Sequence, residues 1–104
     1  MEDVIVHNLH TQAKQEIYEL LQNKGYKPFF VEKPAELLSL LAAGEYTKIF
    51  LYVQNLSDIR FLQTIQSLYF HTEINLIIPP HLQEIIELLK NSDFKILNEI
   101  TQVD

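Results

Sequence analysis

Four side chains near predicted strand ends carry atoms that bind Zn²⁺, namely those of His7, His10, His81 and Glu32. Imidazole nitrogens and carboxylate oxygens are common zinc ligands, so these residues would form a metal or small-ligand site if they met at one edge of a sheet. The alternative is that His7 caps a strand while His10 and His81 lie exposed at helix starts. We favour this alternative because the spacing His7-x-x-His10 alone is a weak signal. We therefore expect no bound metal and no other cofactor.

The sequence around these residues predicts a parallel β-sheet. Ile49 to Val53 is an unbroken apolar run, rich in β-branched and aromatic residues and too short for a buried helix. Such a run is typical of a central strand that is buried on both faces. Four further strands are predicted, at Asp3 to His7, Phe29 to Val31, Ile74 to Ile78 and Phe94 to Ile100.

Helical patterns separate the predicted strands. The first helix follows Thr11 and ends at Gly25, and the second begins at Pro34 and ends at Gly44. The other two run from Ser57 to about Phe70 and from His81 to about Lys90. Regular alternation of strands and helices predicts right-handed crossovers and a doubly wound α/β sheet in a single domain, 1–104.

Composition excludes several functional classes. The chain has 14 acidic and 8 basic residues, a net charge of −6, which argues against direct nucleic-acid binding. It has no cysteine, so neither disulfides nor thiol chemistry is available. No apolar run approaches the roughly 18 residues that span a bilayer, and the acidic N-terminus is unlike a signal peptide. We expect a cytoplasmic protein without a membrane partner.

The order and spacing of these elements resemble the receiver domain of bacterial response regulators. The resemblance rests on the first strand, on the helix ends Lys24-Gly25-Tyr26 and Gly44-Glu45-Tyr46, and on the strand that follows at once. It covers about residues 3 to 100. It implies a flavodoxin-like five-stranded sheet with strand order 2-1-3-4-5.

The residues that receivers use for phosphorylation are missing. Receivers hold Mg²⁺ with an acidic pair after strand one, phosphorylate an aspartate that ends strand three, and carry a hydroxyl after strand four and a lysine after strand five. The corresponding positions are His7, Asn8 and His10 for the acidic pair, Tyr52 or Val53 for the aspartate, Pro79 for the hydroxyl, and Asn98 or Glu99 for the lysine. Phosphoryl transfer needs a nucleophile and a metal that neutralises charge. The resemblance therefore implies a degenerate receiver, a pseudo-receiver that is not an enzyme.

Tyr52 is the candidate occupant of the empty phosphorylation pocket. We expect its ring to pack at the end of strand three, against the residues around His7 and Pro79. A buried tyrosine needs only one partner for its hydroxyl. The alternative is a phosphorylated or ligand-stacking residue.

A receiver normally carries a fifth helix, and here only Thr101 to Asp104 follow the last strand. One face of strands three, four and five is therefore expected to lack its cover. Three arrangements would cover it: a homodimer that pairs the bare faces, a helix supplied by a longer parent chain, or a rearranged last segment. We expect the homodimer, with Leu51 or Ile78 on the paired face.

Three functions follow from these observations. The leading hypothesis is a regulatory module that contacts a protein partner or an attached output domain through apolar residues of the fourth helix: Leu82, Ile85, Leu88 and Leu89. The second is a small-ligand or metal sensor at the histidine-bearing edge. The third is a phosphotransfer enzyme with His7 or His10 as its nucleophile.

Overall fold

The computed structural model describes residues 2–9, 14–44, 46–68 and 71–102. Its centre is a five-stranded sheet in the order β2-β1-β3-β4-β5, with every neighbouring pair parallel. The strands are β1 (Glu2–His7), β2 (Tyr26–Val31), β3 (Lys48–Tyr52), β4 (Glu73–Ile77) and β5 (Lys95–Leu97). The helices are α1 (Lys14–Asn23), α2 (Pro34–Ala42), α3 (Ser57–Leu68) and α4 (Gln83–Leu89), and a 3₁₀ turn follows at Ile100–Gln102. The predicted α/β class and strand order, consistent with a flavodoxin-like fold, are confirmed.

Local chemistry explains where the helices begin and end. Pro34 is the first residue of α2, where its missing N–H costs nothing. Gly25 and Gly44 follow α1 and α2 with φ values of +93° and +76°, a conformation that disfavours other residues. The fourth helix is shorter than predicted, since it starts at Gln83 and ends at Leu89. No described helix combines the length and apolar character that crossing a membrane requires.

Two apolar clusters cover the two faces of the sheet. The larger cluster packs α2, α3 and α4 against one face and includes Ile49, Leu51 and Ile78. The smaller cluster packs α1 against the other face and includes Val6, Phe50 and Ile77. Alternate residues of β3 thus enter different clusters, as the period of two in a strand requires. Leu51 and Ile78, which we had considered for a bare face, lie instead under the helices.

The face that a fifth helix would cover is partly closed by the 3₁₀ turn. Ile100 is 8% exposed and belongs to the same cluster as Phe50 and Ile77, which are 0% and 3% exposed. Tyr52 and Leu97 pack at the rim of that cluster and are half-buried. The carboxyl half of this face therefore buries its apolar residues without a full helix.

The amino-terminal half of the same face is polar. Lys48 lies beside Glu73, and Asn75 lies between Phe50 and Lys95 in the strand register. Glu73 Oε2 is 3.3 Å from Lys48 Nζ, and Glu73 Oε1 is 3.6 Å from Lys95 Nζ. Asn75, which is only 2% exposed, donates from Nδ2 to Glu73 Oε2 at 3.2 Å and to the Ile49 carbonyl at 3.3 Å. We call Lys48, Glu73, Asn75 and Lys95 the polar ladder.

The polar ladder corrects the expectation of a bare apolar face three strands wide. Charged side chains at the starts of β3, β4 and β5 can remain in water, so this half needs no helix above it. The homodimer stays a prediction that sedimentation at micromolar concentration tests. A bare apolar face no longer supports it, because the described part of this face is polar at its amino-terminal half.

Titration of Glu73 should reveal the contribution of the polar ladder. Burial alone would raise the pKa of Glu73, but the hydrogen bond from Asn75 and the charges of Lys48 and Lys95 outweigh it and lower this pKa below 4.5. A carboxylate with a lowered folded-state pKa stabilises the fold above its unfolded-state pKa, and this contribution is lost as the pH falls through the folded-state value. We expect Glu73→Gln to lower the free energy of unfolding by about 0.5–1 kcal/mol at neutral pH, and to reduce its decline between about pH 6 and pH 3.

Urea unfolding across this pH range measures both effects, with Glu87→Gln as the control. The pKa of Glu87 is also lowered, by hydrogen bonds from Lys90 and Gln83, but that carboxylate lies at the surface. It should therefore contribute nothing measurable. Equal pH profiles for wild type and Glu73→Gln would show that the ladder does not stabilise the fold.

Candidate functional site

The carboxyl edge of the sheet holds the positions that a receiver uses for chemistry, and His7 is the first of them. His7 is 4% exposed and its Nδ1 donates to the Val31 carbonyl at 3.0 Å. Its ring lies 5.7 Å from the Phe61 ring of α3, centroid to centroid. His7 therefore packs under α3, on the face of the sheet that α2, α3 and α4 cover.

Asn8 and Asp58 connect two loops at this edge. Asp58 Oδ2 accepts hydrogen bonds from the backbone N–H groups of Gln54 at 2.9 Å and Asn55 at 3.2 Å. Asn8 Nδ2 donates to the Tyr52 carbonyl at 2.9 Å and to Asp58 Oδ2 at 3.4 Å. Gln54 Nε2 donates in turn to the Asn8 carbonyl at 3.2 Å. These hydrogen bonds connect the loop after β1 to the loop after β3.

The backbone of Asn8 adopts φ = +67°, the one such conformation outside glycine among the described residues. Asparagine is among the few residues that tolerate this region. The turn places the Asn8 side chain over the end of β3, where receivers carry their acceptor. An amide occupies this position, and an amide can neither accept a phosphoryl group from Mg²⁺-bound donors nor supply the charge that holds the metal.

The structure also describes the other positions that the receiver resemblance selects. Val53 is fully buried in the larger cluster, and its N–H donates to the Ile77 carbonyl at 3.0 Å. Pro79 is half-buried and its carbonyl accepts from the N–H of Leu82 at 3.0 Å. Asn98 and Glu99 are exposed after β5, and the Asn98 N–H is bonded to Gln102 Oε1 at 2.7 Å.

Tyr52 packs at the end of β3, but not against the His7 ring. Its ring lies against the smaller cluster on the α1 face, which includes Val6 and Leu9 near His7 in the chain, while His7 itself faces α3 on the other side of the sheet. Burial raises the pKa of Tyr52 to about 12. Its hydroxyl oxygen is buried and has no hydrogen-bond partner among the described residues. Such an orphaned group destabilises a fold.

Among the described residues, the structure does not bring the candidate metal ligands His7, Glu32 and His81 together as one site. Glu32 accepts from Lys14 Nζ at 3.1 Å, His81 is exposed, and His7 is committed to Val31. His10 lies outside the described residues. Residues 2–9, 14–44, 46–68 and 71–102 contain no group of three or more His, Asp or Glu side chains able to hold a metal ion.

A hollow of about 700 Å³ opens at the opposite, amino-terminal edge of the sheet, beside the polar ladder. Its lining includes Glu73 and Lys95, whose charges already face each other. Because these opposite charges are matched within the protein, the hollow indicates no particular class of ligand.

Two exposed leucines lie on or beside α4. Leu56 in the β3–α3 loop is 62% exposed, and Leu88 on α4 is 68% exposed. Leu56 and Leu82 line one hollow of about 510 Å³, and Leu88 lines another of about 500 Å³. The two hollows share Gln83 and Glu84, so they form one continuous surface. We call it the α4 surface.

Fewer residues of the α4 surface are exposed than the sequence predicted. Ile85 and Leu89 are 5% and 6% exposed and belong to the larger core cluster. Leu89 lines neither hollow, and Ile85 contributes only to the floor of the hollow that Leu56 and Leu82 line. Leu82 is half-buried and Leu88 is exposed. Leu56, which the sequence analysis did not select, takes part because the β3–α3 loop lies next to α4 in space. An isolated leucine between two polar loop residues was the available signal.

Comparison of the sequence with known protein families and with curated proteins finds no match. The function must therefore be argued from the geometry of this chain alone.

Replacing Tyr52 tests the placement of its hydroxyl. Tyr52→Phe removes an orphaned buried group, so the free energy of unfolding should stay the same or rise by about 1 kcal/mol. Tyr52→Ala also removes the ring and should cost about 3 kcal/mol, the lower end for a large aromatic because the residue is half-buried. Urea denaturation measures both.

Tyr26→Phe is the matched control, because the Tyr26 hydroxyl accepts from Lys48 Nζ at 2.9 Å. That variant should be destabilised by about 1 kcal/mol. A loss at Tyr52→Phe as large as that at Tyr26→Phe would show that the Tyr52 hydroxyl has a partner in solution.

Proposed function

We propose that this protein is a phosphorylation-independent regulatory module, a receiver-like domain that acts by contacting a partner protein or an attached output domain. The observation that carries the proposal is the α4 surface, where Leu56 and Leu88 are more than half exposed beside adjoining hollows. Isolated surface leucines are ordinary, but neighbouring ones around shared concave surface favour a contact site.

The chemistry of the carboxyl edge supports the same function. The residues at the acidic-pair and acceptor positions, 7, 8, 10, 52 and 53, offer no carboxylate nucleophile. The amides of Asn8 and Gln54 beside them bond within the protein. A domain of this kind holds one conformation or one that a partner selects, because phosphorylation cannot shift its population.

The occupant we propose for the α4 surface is an apolar segment of a partner protein flanked by basic residues. Glu84 lies between the two hollows and has no ion pair with any described residue. Glu87 is held by Lys90 at 2.8 Å, and the chain as a whole carries a charge of −6. A basic group beside the apolar anchors would complement Glu84 and speed association.

Phosphoryl transfer is tested first. Incubation with Mg²⁺ and acetyl phosphate, or with beryllofluoride, should leave the intact mass and the amide NMR spectrum unchanged. The physical reason is the lack of a carboxylate at residues 7, 8, 52 and 53. A stoichiometric phosphoryl adduct on an acidic side chain or on a histidine would overturn the proposal in favour of a phosphotransfer protein.

Peptide selection tests the α4 surface. We expect peptides selected from an unbiased display library on the wild-type protein to combine apolar residues with Lys or Arg. Leu88→Asp should weaken their binding at least tenfold, because it places a charge at an apolar anchor. Glu84→Lys should weaken it less, and mainly at low ionic strength.

Leu68→Asp is the matched control, since Leu68 on α3 is also a surface leucine, 61% exposed, but does not line either hollow. It should bind the selected peptides normally. Peptides that are equally sensitive to Leu88→Asp and Leu68→Asp, or insensitive to both, would show that α4 is not the contact surface.

A further inference from the structure

Leu56 occupies a loop whose conformation is fixed on both sides. Directly before it, the backbone N–H groups of Gln54 and Asn55 donate to Asp58. Directly after it, the Ser57 N–H donates to Asn55 Oδ1 at 3.0 Å, and the Ser57 hydroxyl bonds to the same oxygen. The Asp58 N–H closes the turn on the Asn55 carbonyl at 3.3 Å. The Leu56 side chain therefore projects outward from a backbone that has little freedom.

Asp58 is the centre of this arrangement. A single oxygen, Oδ2, accepts from two loop N–H groups and from the Asn8 amide, so one carboxylate links the β1–α1 loop, the β3–α3 loop and the first turn of α3. Hydrogen bonds to an ionised group are stronger than neutral ones. The side chain of Asp58 lies partly buried, which limits competition from water.

We infer that Asp58 is a positioning residue that holds Leu56 in the α4 surface before any partner arrives, so that the surface is permanently assembled. This inference rests on the proposed function and adds its regulation: the module needs no activation step. A preformed surface avoids the cost of ordering a loop on binding.

Amide hydrogen exchange tests the positioning without a partner. Asp58→Ala should accelerate exchange at Gln54 and Asn55 about tenfold or more, since both amides lose a charge-assisted acceptor. Asp58→Asn keeps the shape and one acceptor oxygen, so it should give a smaller acceleration. The Val53 amide, which bonds to the Ile77 carbonyl, should not change and serves as the internal reference.

Glu73→Gln is the matched control, because it removes the charge of another carboxylate that has several partners. Glu73 begins β4, so it lies at the edge of the sheet opposite the one that carries Asp58. If general destabilisation were the cause, both substitutions would accelerate exchange at Gln54 and Asn55. Unchanged exchange in Asp58→Ala, or equal acceleration in Glu73→Gln, would overturn the inference.

The peptides selected on wild type then show whether positioning matters for binding. Asp58→Ala should weaken their binding about threefold to tenfold, and should have no further effect when Leu56 is already replaced by Ala. Faster amide exchange in Asp58→Ala with unchanged peptide affinity would refute the positioning role. The Leu88→Asp variant would still test the α4 surface itself. Insensitivity to Leu88→Asp would instead refute the proposed function, so the two failures are distinguishable.

Discussion

A parallel sheet must be covered on both faces, and this requirement governs the structure. Successive residues of β3 alternate between two cores, so Phe50 and Leu51 are both buried but on opposite sides. Three helices cover one side, whereas α1 is the only described α-helix that packs on the other. The uncovered corner over β3, β4 and β5 therefore has to be stabilised in another way.

The two ends of that corner are stabilised by different kinds of residue, apolar at one end and polar at the other. Near the carboxyl end, Tyr52, Ile77 and Leu97 lie side by side, and Ile100 from the 3₁₀ turn joins their cluster. Near the amino end, the polar ladder replaces apolar contacts with ion pairs and with the two hydrogen bonds of Asn75. Asn75 is buried, and its amide donates both to a charged side chain and to a strand carbonyl, which offsets its desolvation.

The alternation of apolar strands and helices was sufficient to predict a doubly wound sheet with right-handed crossovers. The strand order came from the resemblance to receiver domains. The sequence did not reveal the polar ladder, since Lys48, Glu73 and Lys95 are far apart in the chain and meet only through strand register. The same reason hid the role of Asp58, which looks like an acid placed favourably at a helix start. Its bonds to Gln54 and Asn55 are local, but its partner Asn8 comes from another loop that becomes a neighbour only in the folded sheet.

On α4 the sequence predicted a contact surface but included side chains from the buried side of the helix. Ile85 and Leu89 are four residues apart and share the buried stripe, while Leu88 lies about 100° away from Leu89 and faces solvent. The pattern identified an unusually wide apolar face, but only the packed structure shows which part of it the core uses. Tyr52 shows the same problem in a strand, where the face on which a side chain lies depends on the register. A shift of one residue moves the side chain to the other face.

The hydrogen bonds at the carboxyl edge of the sheet bear on both parts of the proposed function. Asn8, Gln54 and Asp58 bond to one another and to the Tyr52 carbonyl, and these bonds connect the β1–α1 and β3–α3 loops. A receiver that is switched by phosphorylation needs the groups at this edge to be available to metal and phosphate. The pairing of these groups within the protein therefore favours a function that does not depend on phosphorylation. The same hydrogen bonds hold the backbone beside Leu56, so under the proposed function they also support the contact surface.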